Sequence, residues 1–190
     1  MVVTFTAFFD ACILYPAPLR DLLLQLGTER LFRAKWSNRV HDEWISNLLE
    51  KRPDLTREKL ERTRTLMNEN TLDCLVEGYD HLIETLDLPD PNDRHVLAAA
   101  IHSRSDVIVT FNLKDFPRKT LQTYKIEIRH PDAFIADLLD LNENAVVHAV
   151  RTLRARLKSP PKTIDEYLEC IERQGLPETS SRLREIRAFL

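Results

Sequence analysis

Two hydrophobic rhythms alternate over the first 130 residues. Val2 to Phe9 is a β-branched and aromatic run too short for a helix, and it predicts a buried first strand that Asp10 ends. A turn, Tyr15-Pro16-Ala17-Pro18, leads into a short helix over Leu19 to Leu26 stopped by Gly27. A second strand is expected around Leu31 to Trp36. Ser37 or Asn38 then caps a helix carrying His41-Asp42-Glu43-Trp44 to about Lys51, ahead of Pro53. Thr56 opens a helix to about Asn70, Leu72 to Val76 makes a weak third strand, and a short helix lies near Asp80 to Glu84.

The segment Leu88-Pro89-Asp90-Pro91-Asn92-Asp93 opens a strong helix to about Ser103, with Asp90 at the N-cap and Pro91 at the first helical position. Val107 to Thr110 is a continuous apolar run, the pattern of a strand buried on both faces, and Lys125 to Arg129 is the last strand. From Pro131 onward the period is helical, over 131–140, 142–157, 163–174 and 178–189. Strands alternating with helices predict an α/β fold, a three-layer α/β/α sandwich around a mainly parallel sheet. The first strand is expected at its centre, beside Val107 to Thr110. The division expected is 1–140 for the α/β domain and 141–190 for a C-terminal helical extension. Leu153, Leu168, Ile171 and Leu183 would leave a large exposed patch unless that extension folds back on the body.

A length of 190 residues suits one domain with a short appendage. The longest apolar run, Val96 to Ile101, is far short of a bilayer span, and residues 1–9 lack the basic start of a secretory signal; a cytoplasmic protein without a membrane partner is expected. Only Gly27, Gly78 and Gly175 occur, which excludes a Gly-rich phosphate loop, a dinucleotide fingerprint and a G-x-S-x-G nucleophile elbow. Cys12, Cys74 and Cys170 are widely spaced in apolar surroundings and read as reduced core thiols. The net charge of −3 is uneven, because residues 151–190 carry 9 basic against 6 acidic side chains and the preceding body is acidic. That balance does not suit a broad electrostatic nucleic-acid surface, but it permits an acidic, cation-binding cleft with a basic rim.

In a parallel sheet with helical crossovers, strand C-termini and helix N-termini share the edge where ligands bind. Asp10 ends the first strand, Asn112 and Asp115 follow Val107 to Thr110, and Asp93 and Glu43 lie early in their helices, so four acids and an amide converge on that edge. On a helical wheel Asp93 falls within the apolar stripe of Val96, Leu97, Ala100 and Ile101, where an unpaired carboxylate is costly. Read alone, it is equally a helix-capping acid. Asp42 and Glu43 flank opposite sides of the Val40, Trp44 and Leu48 stripe, and either can face the cleft. Clustered carboxylates suit a hard divalent cation, Mg²⁺ or Mn²⁺. The six histidines are scattered without zinc spacing, and His41 and His95 read as surface or rim residues.

Taken together, Phe9-Asp10-Ala11, the helical Glu43, the run from Pro89 through Ala100 and Thr110-Phe-Asn-Leu-Lys-Asp115-Phe116 resemble the PIN-domain ribonucleases, in particular VapC-like toxin relatives, over residues 2–135. The resemblance implies metal-dependent hydrolysis of RNA phosphodiesters. Asp10, Glu43, Asp93 and Asp115 would occupy the family's acidic positions, with Thr110, Asn112 and Asp90 as supporting polar groups. Asp10, Asp93 and Asp115 would chiefly hold the cation, and Glu43 a second one or the attacking water. It also implies a homodimer and a partner antitoxin, although the helices after residue 141 exceed a minimal toxin domain. Arg94, His95, Lys114, Arg118 and Lys119 neighbour the acids in sequence and are candidate contacts to the RNA backbone. The competing readings are a non-catalytic PIN-fold module binding RNA or protein, and a metal-dependent phosphatase. The commonest phosphatase pattern needs a second acid where Cys12 stands.

Overall fold

A computed structural model describes residues 5–158 and 160–190, so Val2 to Thr4 of the expected first strand lie outside it. The central strand, β1 (Thr6–Phe9), is hydrogen-bonded in parallel to β2 (Arg33–Ser37) on one side and β4 (Val107–Val109) on the other. β3 (Leu75–Val76) joins β2 and β5 (Glu127–Arg129) joins β4, giving the all-parallel order β3-β2-β1-β4-β5. Every residue of β1 is buried, as expected for a strand covered on both faces. The architecture is a three-layer α/β/α sandwich followed by C-terminal helices. Among the described residues no helix is long and apolar enough to cross a membrane.

Local chemistry explains where the elements begin and end. Asp10 accepts from the Ala11 N–H and so caps a one-turn helix, α1 (Ala11–Leu14), which ends just before the expected turn at Tyr15 and Pro16. The next helix, α2 (Ala17–Thr28), runs through Gly27 instead of stopping there, and Arg30 at φ 59° follows its end. Gly27 keeps helical geometry with its open side beneath the Phe32 ring. Ser37 caps α3 (Asn38–Lys51), accepting from Val40 N–H, and Thr56 caps α4 (Arg57–Asn70). After the short α5 (Asp80–Ile83), a 3₁₀ turn over Pro91–Asp93 precedes α6 (Arg94–His102), which packs on β1, β2 and β4. Its residues from His95 through Ala100 are all buried.

On the β2 side, α3 and α4 are tied by a buried polar cluster. Trp44 Nε1 donates to His41 Nδ1 (3.0 Å), and Asn68 Oδ1 receives both Trp36 Nε1 (2.8 Å) and His41 Nε2 (3.0 Å). His41 was expected at the rim; it is fully buried instead, because the indole of its i+3 neighbour needs an acceptor. Burial pushes its pKa down to about 4, and protonation would set an Nδ1–H against the Trp44 N–H.

The short α7 (Arg118–Thr123) leads into β5, and α8 (Pro131–Arg156) follows. α8 bends at Asn142 (φ −160°, ψ 85°), whose Oδ1 accepts from Ala145 N–H and caps the second half of the helix. The first half supplies Phe134, which packs edge-on against Phe5, Phe9 and Phe32. α9 (Ile164–Glu172) opens with a capping box between Thr163 and Glu166, and both α8 and α9 contact α2. α10 (Pro177–Glu185) docks on α8 through buried Asp132, whose carboxylate accepts from Glu178 N–H (2.9 Å) and Thr179 N–H (2.8 Å).

His41 stabilises the fold fully above its unfolded pKa of about 6.5, and this contribution fades as pH falls towards 4; we expect a loss on the order of 2–3 kcal/mol across that window. Urea unfolding of His41→Gln, which keeps one amide acceptor and one donor, should lack that acid limb. Asp132→Ala strands the buried Thr179 N–H and the part-buried Glu178 N–H and should cost roughly 2–3 kcal/mol, lowering the thermal midpoint by about 4–10 °C. Differential scanning calorimetry checks this, and an unchanged midpoint would show that α10 docks without Asp132.

Candidate active site

The C-terminal edge of the sheet is built outward from Asp10. Its N–H donates to Val109 O (3.2 Å), fixing it beside the end of β4. Its carboxylate, 4% exposed, accepts from Ala11 N–H (2.6 Å) on one oxygen. The other oxygen accepts from the Thr110 hydroxyl (2.6 Å) and the Cys12 thiol (3.1 Å). Thr110 Oγ1 in turn receives the Asn112 N–H (3.0 Å), and Cys12 Sγ receives the Phe111 N–H (3.3 Å). Asn112 is exposed and leads into a 3₁₀ turn, Leu113–Asp115, which presents Asp115.

Cys12 is thereby moved out of the class of core thiols. It is half-buried, its Sγ donates to Asp10 and lies 3.2 Å from Thr110 Oγ1, and burial first and the Asp10 charge second push its pKa up to about 12. It stays a protonated donor. The signal in the sequence was its place two residues after Asp10, in the first turn of a capped helix.

Asp93 sits half-buried opposite this group, at the junction of the 3₁₀ turn and α6. Its Oδ2 is buried without a hydrogen-bond partner, whereas Asp10 is fully satisfied. Burial is the largest cause pushing the Asp93 pKa up to about 7, followed by the charges of Asp10, Asp90, Asp115 and Glu43. The four expected acids therefore share one electrostatic neighbourhood, with Asp90 as a fifth. Asp90 itself accepts from Asn92 N–H (2.9 Å) and caps the turn.

The two acids of α3 diverge. Glu43 Oε1 lies 2.8 Å from His95 Nε2 and 3.7 Å from Arg39 Nε, on the Asp93 side. Asp42 is bound to Arg64 (3.0 Å) and largely exposed. His95 was expected at the rim, meeting RNA; it is 1% exposed, and its place on the covered face of α6 makes it a brace for Glu43. Its Nδ1 has no partner. Arg94 is drawn towards Asp87 (3.6 Å), with its Nε buried, and does not project freely. Lys114, Arg118 and Lys119 are exposed, with Arg118 lining a cleft of about 260 Å³ beside β5.

The donors are carboxylate oxygens with hydroxyl and amide support, the chemistry of a hard divalent cation. An acceptor lacking a donor at Asp93, amid like charges, is the feature such a cation would satisfy. Among the described residues, no three His, Cys, Asp or Glu side chains stand close enough to form a ready-made metal group. The acids are neighbours, not a closed cage.

Residues 131–185 match the sequence profile described as the VapC50 C-terminal domain. Over 109 residues the chain is 38% identical to a Mycobacterium tuberculosis protein named "Putative ribonuclease VapC50", covering 57% of this chain and 63% of that protein. The match thus spans less than two thirds of the relative. No solved structure matches. Residues 6–114, which carry Asp10, Glu43, Asp93, Thr110 and Asn112 and stop one residue short of Asp115, match the PIN domain profile, and the chain belongs to the PIN-domain family.

Proposed function

We propose that this chain is an endoribonuclease that hydrolyses RNA phosphodiesters with the help of Mg²⁺ or Mn²⁺. The observation that carries the reading is the unpartnered, buried Oδ2 of Asp93 facing the charges of Asp10, Asp115 and Glu43 at the open edge of the sheet. The bound cation would supply a water nucleophile at neutral pH and offset charge on the phosphate oxygens. Asp10, Asp93 and Asp115 would hold it, with Thr110 and Cys12 orienting Asp10. Glu43, aligned by His95, stands where it can hold a second ion or orient the water. Asn112, Lys114, Arg118 and Lys119 are exposed, and the three basic side chains would meet the RNA backbone.

In this reading, residues 1–140 form the nuclease unit and 141–190 the extension, a division that falls at the Asn142 bend of α8. The VapC50 name of the relative supports a toxin role, with a partner antitoxin and a homodimer as its further terms. The non-catalytic module is the second reading, favoured by the lack of a closed metal group among the described residues. Failure to bind Mn²⁺ up to about 1 mM would select it.

Asp93→Asn separates a metal ligand from a helix cap. Asp93 has a folded pKa raised above its unfolded one, so it opposes folding as pH rises through about 7. Without metal at pH 8, the Asn variant should be more stable by ~1 kcal/mol after allowance for solvent screening, a rise of roughly 2–4 °C in melting temperature. Cleavage of a mixed-sequence RNA with Mn²⁺ should fall at least about 100-fold, or ~2.7 kcal/mol of transition-state stabilisation. Retained cleavage with a lowered melting temperature would refute the assignment and leave Asp93 a cap.

A further inference from the structure

The acidic edge and the C-terminal helices meet at one aromatic ring. Phe111 stands between Thr110, whose hydroxyl holds Asp10, and Asn112, whose N–H donates to Thr110 Oγ1. Its own N–H donates to Cys12 Sγ. The backbone here is fixed from one side by the Asp10 network. On the other side the Phe111 ring lies against His130, the N-cap of α8, with centroids 5.1 Å apart at 69°. The turn between α9 and α10 closes over the same ring at Gly175. That residue has φ +82°, and a Cβ built on it would stand 3.3 Å from Phe111 Cε1.

The turn is itself held firmly. Gly175 N–H donates to Glu172 O (3.0 Å), Leu176 is fully buried, and the next turn, α10, is bound at its N-terminus by the Asp132 carboxylate. Asp132 is two residues beyond His130. A continuous path of packed and hydrogen-bonded groups therefore joins the extension to the loop bearing Thr110, Asn112 and Asp115.

We propose that the α9–α10 turn is a clamp on this loop, with Gly175 and Phe111 as positioning residues that set Thr110 and Asp115 relative to Asp10. The proposal rests on the nuclease reading for its catalytic consequence, but not for its structural one. A side chain at Gly175 would strain a backbone at φ +82° and ask the ring to give by a few tenths of an ångström, a shift that bears on the 110–112 backbone because the Phe111 N–H is bound to Cys12. Displacements of this size in groups that must act together cost rate more than substrate affinity.

The test uses the full chain with Gly175→Ala, Phe111→Leu, the double variant, and Gly78→Ala. Gly78 has a similar backbone (φ +78°) but meets only the His102 ring, at 3.8 Å, so it controls for strain alone. Amide hydrogen exchange of Phe111, Asn112 and Asp115 is read against the amides of β1, and RNA cleavage with Mn²⁺ gives kcat and KM. Gly175→Ala should speed exchange at these amides about tenfold and lower kcat about tenfold with KM within about twofold. Phe111→Leu alone should speed exchange at these amides, because it removes the ring tip that Gly175 covers; in the Gly175→Ala background the new methyl fills the space left by Cε1 and Cζ, so the double variant should exchange more slowly and turn over faster than either single variant. Gly78→Ala should lower melting temperature and move neither readout. Exchange at 110–116 that is no faster in Gly175→Ala than in Gly78→Ala would overturn the clamp, as would a double variant showing no rescue. Should Gly175→Ala not fold, Phe111→Leu alone decides: unchanged exchange at Asn112 and Asp115 refutes the clamp. If the wild type does not cleave RNA, the nuclease reading fails while exchange still judges the clamp.

Discussion

Asp10 is a carboxylate buried at the end of the central strand, where an unpaired charge would cost several kcal/mol. Its three donors come from Ala11, Cys12 and Thr110, so satisfying it requires a helix to start at once after β1 and β4 to end alongside. The all-parallel sheet makes this possible. Both faces of β1 are covered, which leaves the strand's end as the one place where its polar chemistry can gather. The position of Asp10 thereby fixes the loop from Thr110 to Asp115, and the crossover through α6 brings Asp93 to the same edge.

Asp93 is the counterpart with the opposite environment. One carboxylate is saturated with donors; the other keeps a buried oxygen empty and faces four like charges. A fold selected for stability alone would have given Asp93 a donor or replaced it with an apolar residue matching Val96 and Leu97. Local instability at a site whose neighbours are braced, Glu43 by His95 and Asp10 by Thr110, is what supports the proposed cation-holding role of Asp93.

Much of this was legible because it rests on local signals. The apolar run Val107 to Thr110, the Pro91 start and the β-branched first strand gave the strand alternation, and alternation in a parallel sheet carries the acids to one edge. What local signals do not carry is which side chain a residue meets from another element. His41 and His95 read as rim residues because histidine is commonly half-exposed; their burial depends on an indole and a carboxylate that tertiary packing brings to them. Cys12 read as apolar because its thiol gives no sign of the hydroxyl arriving from 98 residues away. Gly27 read as a stop because helix-ending glycine and helix-interior glycine look alike until the covering ring of Phe32 is known.

The same limit explains why the tail looked like an appendage. Its periodicity shows amphipathic helices with apolar faces to bury, and those faces do pack on α2 and on the first half of α8. The polar anchors are what give it a defined place: Asp132 takes the first amides of α10, and Arg182 reaches back to Ala136 O (2.9 Å) and to Asp140. Apolar burial is non-directional and would tolerate sliding, whereas a carboxylate accepting two particular N–H groups does not. Because Asp132 lies in the first turn of the helix that follows β5, this anchor is referred to the sheet edge itself. The extension is thus registered against the strand ends that carry the acids, and a shift of one would be felt by the other.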